Sequence, residues 1–163
     1  MPSTSGAETT PAGTVQHQKA VQSPLTLIMT IKSPAAYQEL KGLLDKIQSA
    51  PPDKNPVWVA LDKLHNVHFA RFVFLENNTK LAVITTYDGT FEDYIADFTR
   101  EIGGIFDALL AHMVDAPPLP VEKNAKAFLD YVRINDLRGM EPFYSAYPKA
   151  TVSDLQAALR DQA

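Results

Sequence analysis

Residues 67–75, V-H-F-A-R-F-V-F-L, and 80–87, K-L-A-V-I-T-T-Y, stand only E-N-N-T apart. Two runs this rich in β-branched and aromatic residues, at this spacing, predict an antiparallel hairpin whose paired asparagines suit the positive backbone angles of its turn. With Asn77 and Asn78 as the turn residues, His68 is expected opposite Tyr87, Phe69 opposite Thr86, Arg71 opposite Ile84 and Val67 opposite Asp88. One face then carries His68, Ala70, Phe72 and Phe74 with Leu81, Val83, Thr85 and Tyr87. The other carries Val67, Phe69, Arg71, Val73 and Leu75 with Ala82, Ile84, Thr86 and Asp88. An antiparallel sheet with one wet face alternates apolar and polar residues. Neither face here does, so each requires a cover, and that requirement restricts the fold more than any other feature.

The flanking chain supplies helices for it. Leu25, Leu27, Met29 and Ile31 alternate with Thr26, Ile28 and Thr30, which is strand periodicity. Ser33-Pro34 then caps and opens a helix carrying Tyr37, Leu40, Leu44 and Ile47, which ends before Pro51-Pro52. Val57, Ala60, Leu61 and Leu64 suit a short helix over 56–64. After Asp88-Gly89-Thr90, a stripe through Phe91, Phe98, Ile102, Phe106 and Met113 marks a long helix, in which Gly103-Gly104 either kinks the axis or admits another backbone. A helix is expected over 121–135, a short strand within E-P-F-Y-S-A-Y-P, and a final amphipathic helix on Val152, Leu155 and Leu159. This order contains the β-α-β-β-α-β unit of ferredoxin-like α+β folds, with additional carboxy-terminal helices. Residues 1–23, rich in Ser, Thr, Pro, Gly and Gln, are expected as a disordered tail, leaving 24–163 as one α+β domain.

Composition narrows the chemistry. The chain has no cysteine, which excludes disulfides, thiolate metal sites, iron–sulfur clusters and cysteine nucleophiles. A net charge of -4 without any single-sign block argues against nucleic acid, because phosphate neutralisation needs a clustered basic footprint. The first residues lack the basic start and apolar stretch of a secretory signal, and no run approaches membrane-spanning length, so a cytoplasmic protein with no membrane partner is expected. G-x-S-x-G, glycine-rich phosphate loops and H-E-x-x-H do not occur.

Polar residues inside the apolar hairpin are the site candidates. A slot between sheet and cover, apolar with a few polar groups, is a common small-molecule site. Arg71, Thr86, Phe69 and Asp88 form the candidate ligand set, with Arg71 orienting an anionic or carbonyl group. His68, oriented by Tyr87, is a weak catalytic candidate on the opposite face. The simpler readings are a His68–Tyr87 hydrogen bond across the strands and an Arg71–carboxylate pair. Asp62, His65 and His68 recur at three-residue spacing, but the change from helix to strand between them spoils a metal geometry, so no metal site is expected. His112 is the one axial haem-ligand candidate, and a histidine in the last turn also complements a helix dipole.

In V-H-F-A-R-F-V-F-L, T-T-Y-D-G-T-F-E-D-Y-I-A-D-F, F-D-A-L-L-A-H and F-Y-S-A-Y-P, over about residues 25 to 157, the chain resembles a bacterial protein family of undefined function. That resemblance implies a ferredoxin-like, dimeric α/β-barrel type fold and a homodimer, and it carries over no functional residue. The wider fold group includes dye-decolourising peroxidases, chlorite dismutase-like haem proteins and cofactor-free monooxygenases. The peroxidase pattern G-x-x-D-G is broken, because Thr85 stands where its first glycine belongs.

The expected function is a small-molecule-binding or accessory module holding an apolar or aromatic ligand against the sheet, with no cofactor. Two alternatives stand beside it. One is an oxidoreductase of the same architecture, haem-dependent through His112 or cofactor-free. The other is a structural interaction module built on the aromatics near the end of the chain.

Overall fold

The computed structural model describes residues 20–138 and 143–161. Its elements run β1 (Gln22–Thr30), α1 (Pro34–Gln48), α2 (Pro56–Leu64), β2 (Val67–Leu75), β3 (Lys80–Asp88), α3 (Phe91–Leu110), α4 (Ala125–Asn135) and α5 (Val152–Arg160), with short 3₁₀ turns before α2 and α4. Among the described residues the architecture is α+β, with five helices and one antiparallel sheet in the order β1-β3-β2. Of the expected tail, residues 1–19 lie outside the described residues, while Gln22 and Ser23 already belong to β1.

Local chemistry starts the helices where the sequence places them. The Ser33 side chain accepts from the Ala36 N–H, with Pro34 opening α1. Asn55 accepts from the N–H groups of Val57 and Trp58 at the start of α2. Thr90 accepts from Asp93 at α3, and Thr151 with Asp154 forms a complete capping box on α5. α3 runs unbroken through both glycines. A methyl group on Gly103 would stand 3.3 Å from Val121 Cγ2, so Gly103 serves close approach, whereas one on Gly104 would meet nothing within 4 Å.

One face of the sheet is closed. Leu25, Leu27 and Met29 of β1 are buried there with Leu81, Val83, Thr85 and Tyr87 of β3, under Leu40 of α1 and Tyr94, Ile95, Phe98, Ile102 and Phe106 of α3. Stacked, tilted and edge-on ring contacts link Tyr87, Tyr94, Phe98, Phe106 and Phe128 into one series. Burying a large apolar side chain contributes roughly 1.5–3 kcal/mol, so this layer dominates stability.

The expected fourth strand is not found among the described residues. Glu141 and Pro142 lie outside them, and Phe143 to Ala150 form bends and a turn. The outer edge of β1 is already satisfied by other chain segments. Thr26 receives the Leu137 N–H at 2.9 Å and donates to Asp136 Oδ1 at 3.0 Å, and Thr30 receives the Val114 N–H at 2.8 Å. Isolated bridges Leu27–Asp136 and Ile31–Met113 therefore stand beside β1, leaving little unpaired backbone for a further strand.

Candidate functional site

The hairpin has the expected register for most of its length. Phe69 pairs with Thr86, Arg71 with Ile84 and Leu75 with Lys80, around a turn in which Glu76, Asn77 and Asn78 all have positive φ. At the open end it departs by one residue, because Val67 pairs with Tyr87 and His68 is the extra residue of a β-bulge. A bulge re-aims a side chain, because two residues on one strand face one on the other.

That shift overturns the expected pairing of His68. Val67 joins Tyr87 on the closed face and packs against the core. His68 turns to the face of Phe69, Arg71, Thr86 and Asp88, and its Nε2 donates to Asp88 Oδ1 at 2.7 Å. Tyr87 is instead stacked on Tyr94, their centroids 4.0 Å apart. Burial, and next the charge of Asp136, push the Tyr87 hydroxyl above its ordinary pKa. Tyr94, which donates to Thr85 Oγ1 at 3.0 Å, is raised by its own burial.

The His68–Asp88 pair is enclosed. The His68 side chain is 2% exposed and that of Asp88 is 11% exposed. Asp88 Oδ2 accepts the Val152 N–H at 2.7 Å, so one carboxylate joins β2 to the first turn of α5, where the helix dipole favours negative charge. The Tyr147 ring lies 6.1 Å from the imidazole. Gln22 holds this carboxy-terminal segment by donating to the carbonyls of Tyr147 and Ala150.

Among the described residues β2 is an edge strand, and a cleft of about 770 Å³ runs along it. Leu44 and Ile47 of α1, Trp58 and Leu61 of α2, and Phe72 and Phe74 of β2 form its apolar wall. Its polar groups include Arg71, His68, Asp62 and His65, and Val152 and Gln156 of α5 close one end. Volume and lining match small-molecule sites. His68 and Arg71, expected on opposite faces and in separate pockets, line one cleft because the bulge turned the histidine and the cleft spans the strand edge.

Of the expected ligand set, Arg71 and Phe69 line this cleft, whereas Thr86 and Asp88 do not. Asp88 is instead hydrogen-bonded to His68. Trp58 and the α1 side chains were missed by sequence reasoning. Trp58 carried a usable signal: it lies off the Val57, Ala60, Leu61 and Leu64 stripe, and it is 55% exposed. The bulge has no such signal, since nothing in N-V-H-F-A announces an inserted residue.

His112 lies just past α3, with Nδ1 2.9 Å from the Ala108 carbonyl and Nε2 3.1 Å from Glu39 Oε2. Both ring nitrogens are engaged and the residue is no part of the cleft, so it does not fit an axial haem ligand. Asp62, His65 and His68 all line the cleft, but no group of three His, Asp or Glu among the described residues is placed to hold a metal ion. Among those residues, no helix is long and apolar enough to cross a membrane.

Comparison with protein-family models, with curated proteins and with solved structures found no significant match. The function is therefore read from the geometry of the cleft and its polar pair.

Proposed function

We propose that this protein is a small-molecule-binding or accessory module, whose cleft along β2 takes an apolar or aromatic ligand carrying an anionic or carbonyl oxygen. The observation that carries this reading is the cleft of about 770 Å³, with Trp58, Phe69, Phe72 and Phe74 as its aromatic lining and Arg71 in the same wall. Arg71 forms no ion pair among the described residues, so its guanidinium is available to an incoming oxygen. An open, lined cleft also separates this reading from a purely structural module, for which filled sheet faces are expected.

The proposal extends to fold and assembly. Strand order β1-β3-β2, with α1 after β1 and α3 after β3, is what a ferredoxin-like unit has when the place beside β1 is held by Asp136 and Leu137 instead of a fourth strand. The face opposite α1 and α3 carries Ile28, Val73, Leu75 and Ile84 half-buried and Phe69 64% exposed. A second copy laid on that face would give the dimeric α/β-barrel arrangement that the sequence resemblance implies, with the exposed apolar surface as its cause.

The sole tryptophan, Trp58, stands in the cleft and reports on it. Anilinonaphthalene sulfonate, which joins aromatic rings to one anionic group, is expected to quench Trp58 while its own emission rises. An Arg71→Ala change is expected to weaken that binding. Native mass on the same sample is expected to give two subunits. A Trp58 signal indifferent to the dye would remove the ligand reading, and a monomer would remove the dimer.

A further inference from the structure

The wall that β2 gives to the cleft is its edge rather than one of its faces. Residues 67–72 line the cleft in unbroken succession, and Phe74 continues the line. Side chains of a strand alternate between two faces, so a space that touches every residue in turn lies beside the backbone. His68 agrees, because its side chain is 2% exposed while the residue as a whole is half-buried, so its main chain borders the cleft. Ala70, exposed with only a methyl group, agrees as well. β3 takes one side of β2, and no strand among the described residues takes the other. The cleft is therefore bordered by backbone N–H and C=O groups open to pairing. At about 3.3 Å per residue, the run from Val67 to Phe74 is roughly 23 Å long and matches an extended segment of about seven residues.

The side chains around that edge define what such a segment carries. Phe74 meets Tyr37 of α1 with ring centroids 4.9 Å apart, so the helices stand on the Phe72 and Phe74 side of the strand. Leu44, Ile47, Trp58 and Leu61 offer apolar surface there. Lys41 is paired with Asp45 on this wall, which leaves Asp62 to disfavour an acidic group beside the helices. Arg71 points to the other side, with no ion pair among the described residues. A second copy paired edge to edge about Arg71 would set like charges against each other. We propose that β2 adds an extended peptide of a partner protein as a further strand. Large apolar side chains at alternate positions of the peptide face α1 and α2, and an acidic one between them faces Arg71. Main-chain hydrogen bonds supply affinity and the walls supply selectivity. Peptide addition rests on the cleft being a ligand site and goes beyond it in using the strand edge.

The test uses the full chain and a short peptide, blocked at both ends, in which valine alternates with threonine and one glutamate replaces a central threonine. The peptide has no tryptophan, so Trp58 reports its binding. Two further versions carry N-methyl groups on the odd or on the even amides. Strand addition turns one of these sets towards β2, so one version is expected to lose about 30-fold or more in affinity. The other is expected to stay within about 2-fold of the parent. Every second backbone amide over 67–74 is expected to exchange more slowly when the parent peptide is bound. Lysine in place of the glutamate is expected to weaken binding about 3–10-fold, and Arg71→Glu to reverse that preference.

Dye binding at Trp58 with no peptide binding, or equal losses from both methylated versions, would overturn strand addition and leave the small-molecule reading standing. Peptide binding without dye binding would do the opposite, and loss of both would remove both. Equal affinity for the glutamate and lysine peptides would overturn the acidic partner. A native mass that falls from two subunits to one as peptide is added would give the edge to a second copy and overturn the proposal. The methylated pair is read on the wild-type chain, so that outcome stands whether or not Arg71→Glu folds.

Discussion

The two faces of this sheet are made from alternate residues of the same strands, yet they differ in how polar groups are handled. On the closed face, Tyr94 of α3 donates to Thr85 and stacks on Tyr87, and their surroundings are aromatic rings in contact. On the open face, His68 and Asp88 are tied to each other and to a carboxy-terminal segment, beside a cleft that His68 lines and Asp88 does not. The closed face hides polar atoms by filling space around them. The open face hides a histidine and leaves room beside it. The lesson is that dense packing and open space are assigned to opposite sides of one strand pair, and a single bulged residue determines to which side His68 belongs.

The sharpest way to break the contrast is truncation on the closed face. Leu27→Ala is expected to cost about 2–5 kcal/mol in denaturant unfolding, because the residue is 1% exposed and its neighbours cannot all collapse into the space. Val73→Ala, on the half-buried open face, is expected to cost less than half as much as Leu27→Ala in the same assay. Equal losses would mean that both faces are filled.

Asp88→Ala comes next. It leaves the Val152 N–H without its acceptor and His68 without its partner, at about 1–3 kcal/mol. The loss is expected locally, as faster hydrogen exchange over 143–161 than in α3. Uniformly faster exchange would place Asp88 in the global core instead.

The pH response sharpens the comparison from the closed side. Burial, and then the charge of Asp115, push the Tyr131 hydroxyl up to about 12, and burial raises Tyr94. A tyrosine freed by unfolding ionises near 10.0. The unfolded state therefore releases these protons first. Their contribution to stability is complete below about pH 10 and is lost as pH rises toward about 12. Melting temperature and tyrosinate absorbance followed together across that interval are expected to change in step.

The smallest effect belongs to Arg71→Ala. Its loss is expected to weaken dye binding about 3–10-fold, since an exposed charge is screened by water, and to alter unfolding by less than about 0.5 kcal/mol. A stability loss larger than the affinity loss would make Arg71 a structural residue.

Much of the fold was legible because local rules acted alone. Ser33-Pro34, the Asn77-Asn78 turn and the Phe98–Phe106 stripe each specify their element without help from elsewhere in the chain. The strand expected near Phe143 was not legible, because its place depends on whether Asp136, Leu137, Met113 and Val114 reach β1 first. The site was half legible. Arg71 and Phe69 were placed by strand parity, which holds from Phe69 onward. Parity fails at His68, where a tertiary contact with Asp88 and α5 accompanies an extra residue in the strand, so the expected Tyr87 partner was replaced.

The most direct measurement is a long-range proton–nitrogen spectrum of the histidine rings, with His68→Gln used to assign the signal among the four histidines. A proton on Nε2 and a bare Nδ1 for His68, reversed in Asp88→Asn and shifted when the dye occupies the cleft, is the predicted result. A proton on Nδ1, or a pattern that neither Asp88→Asn nor the dye changes, would contradict the bulge-built pair on which the account depends.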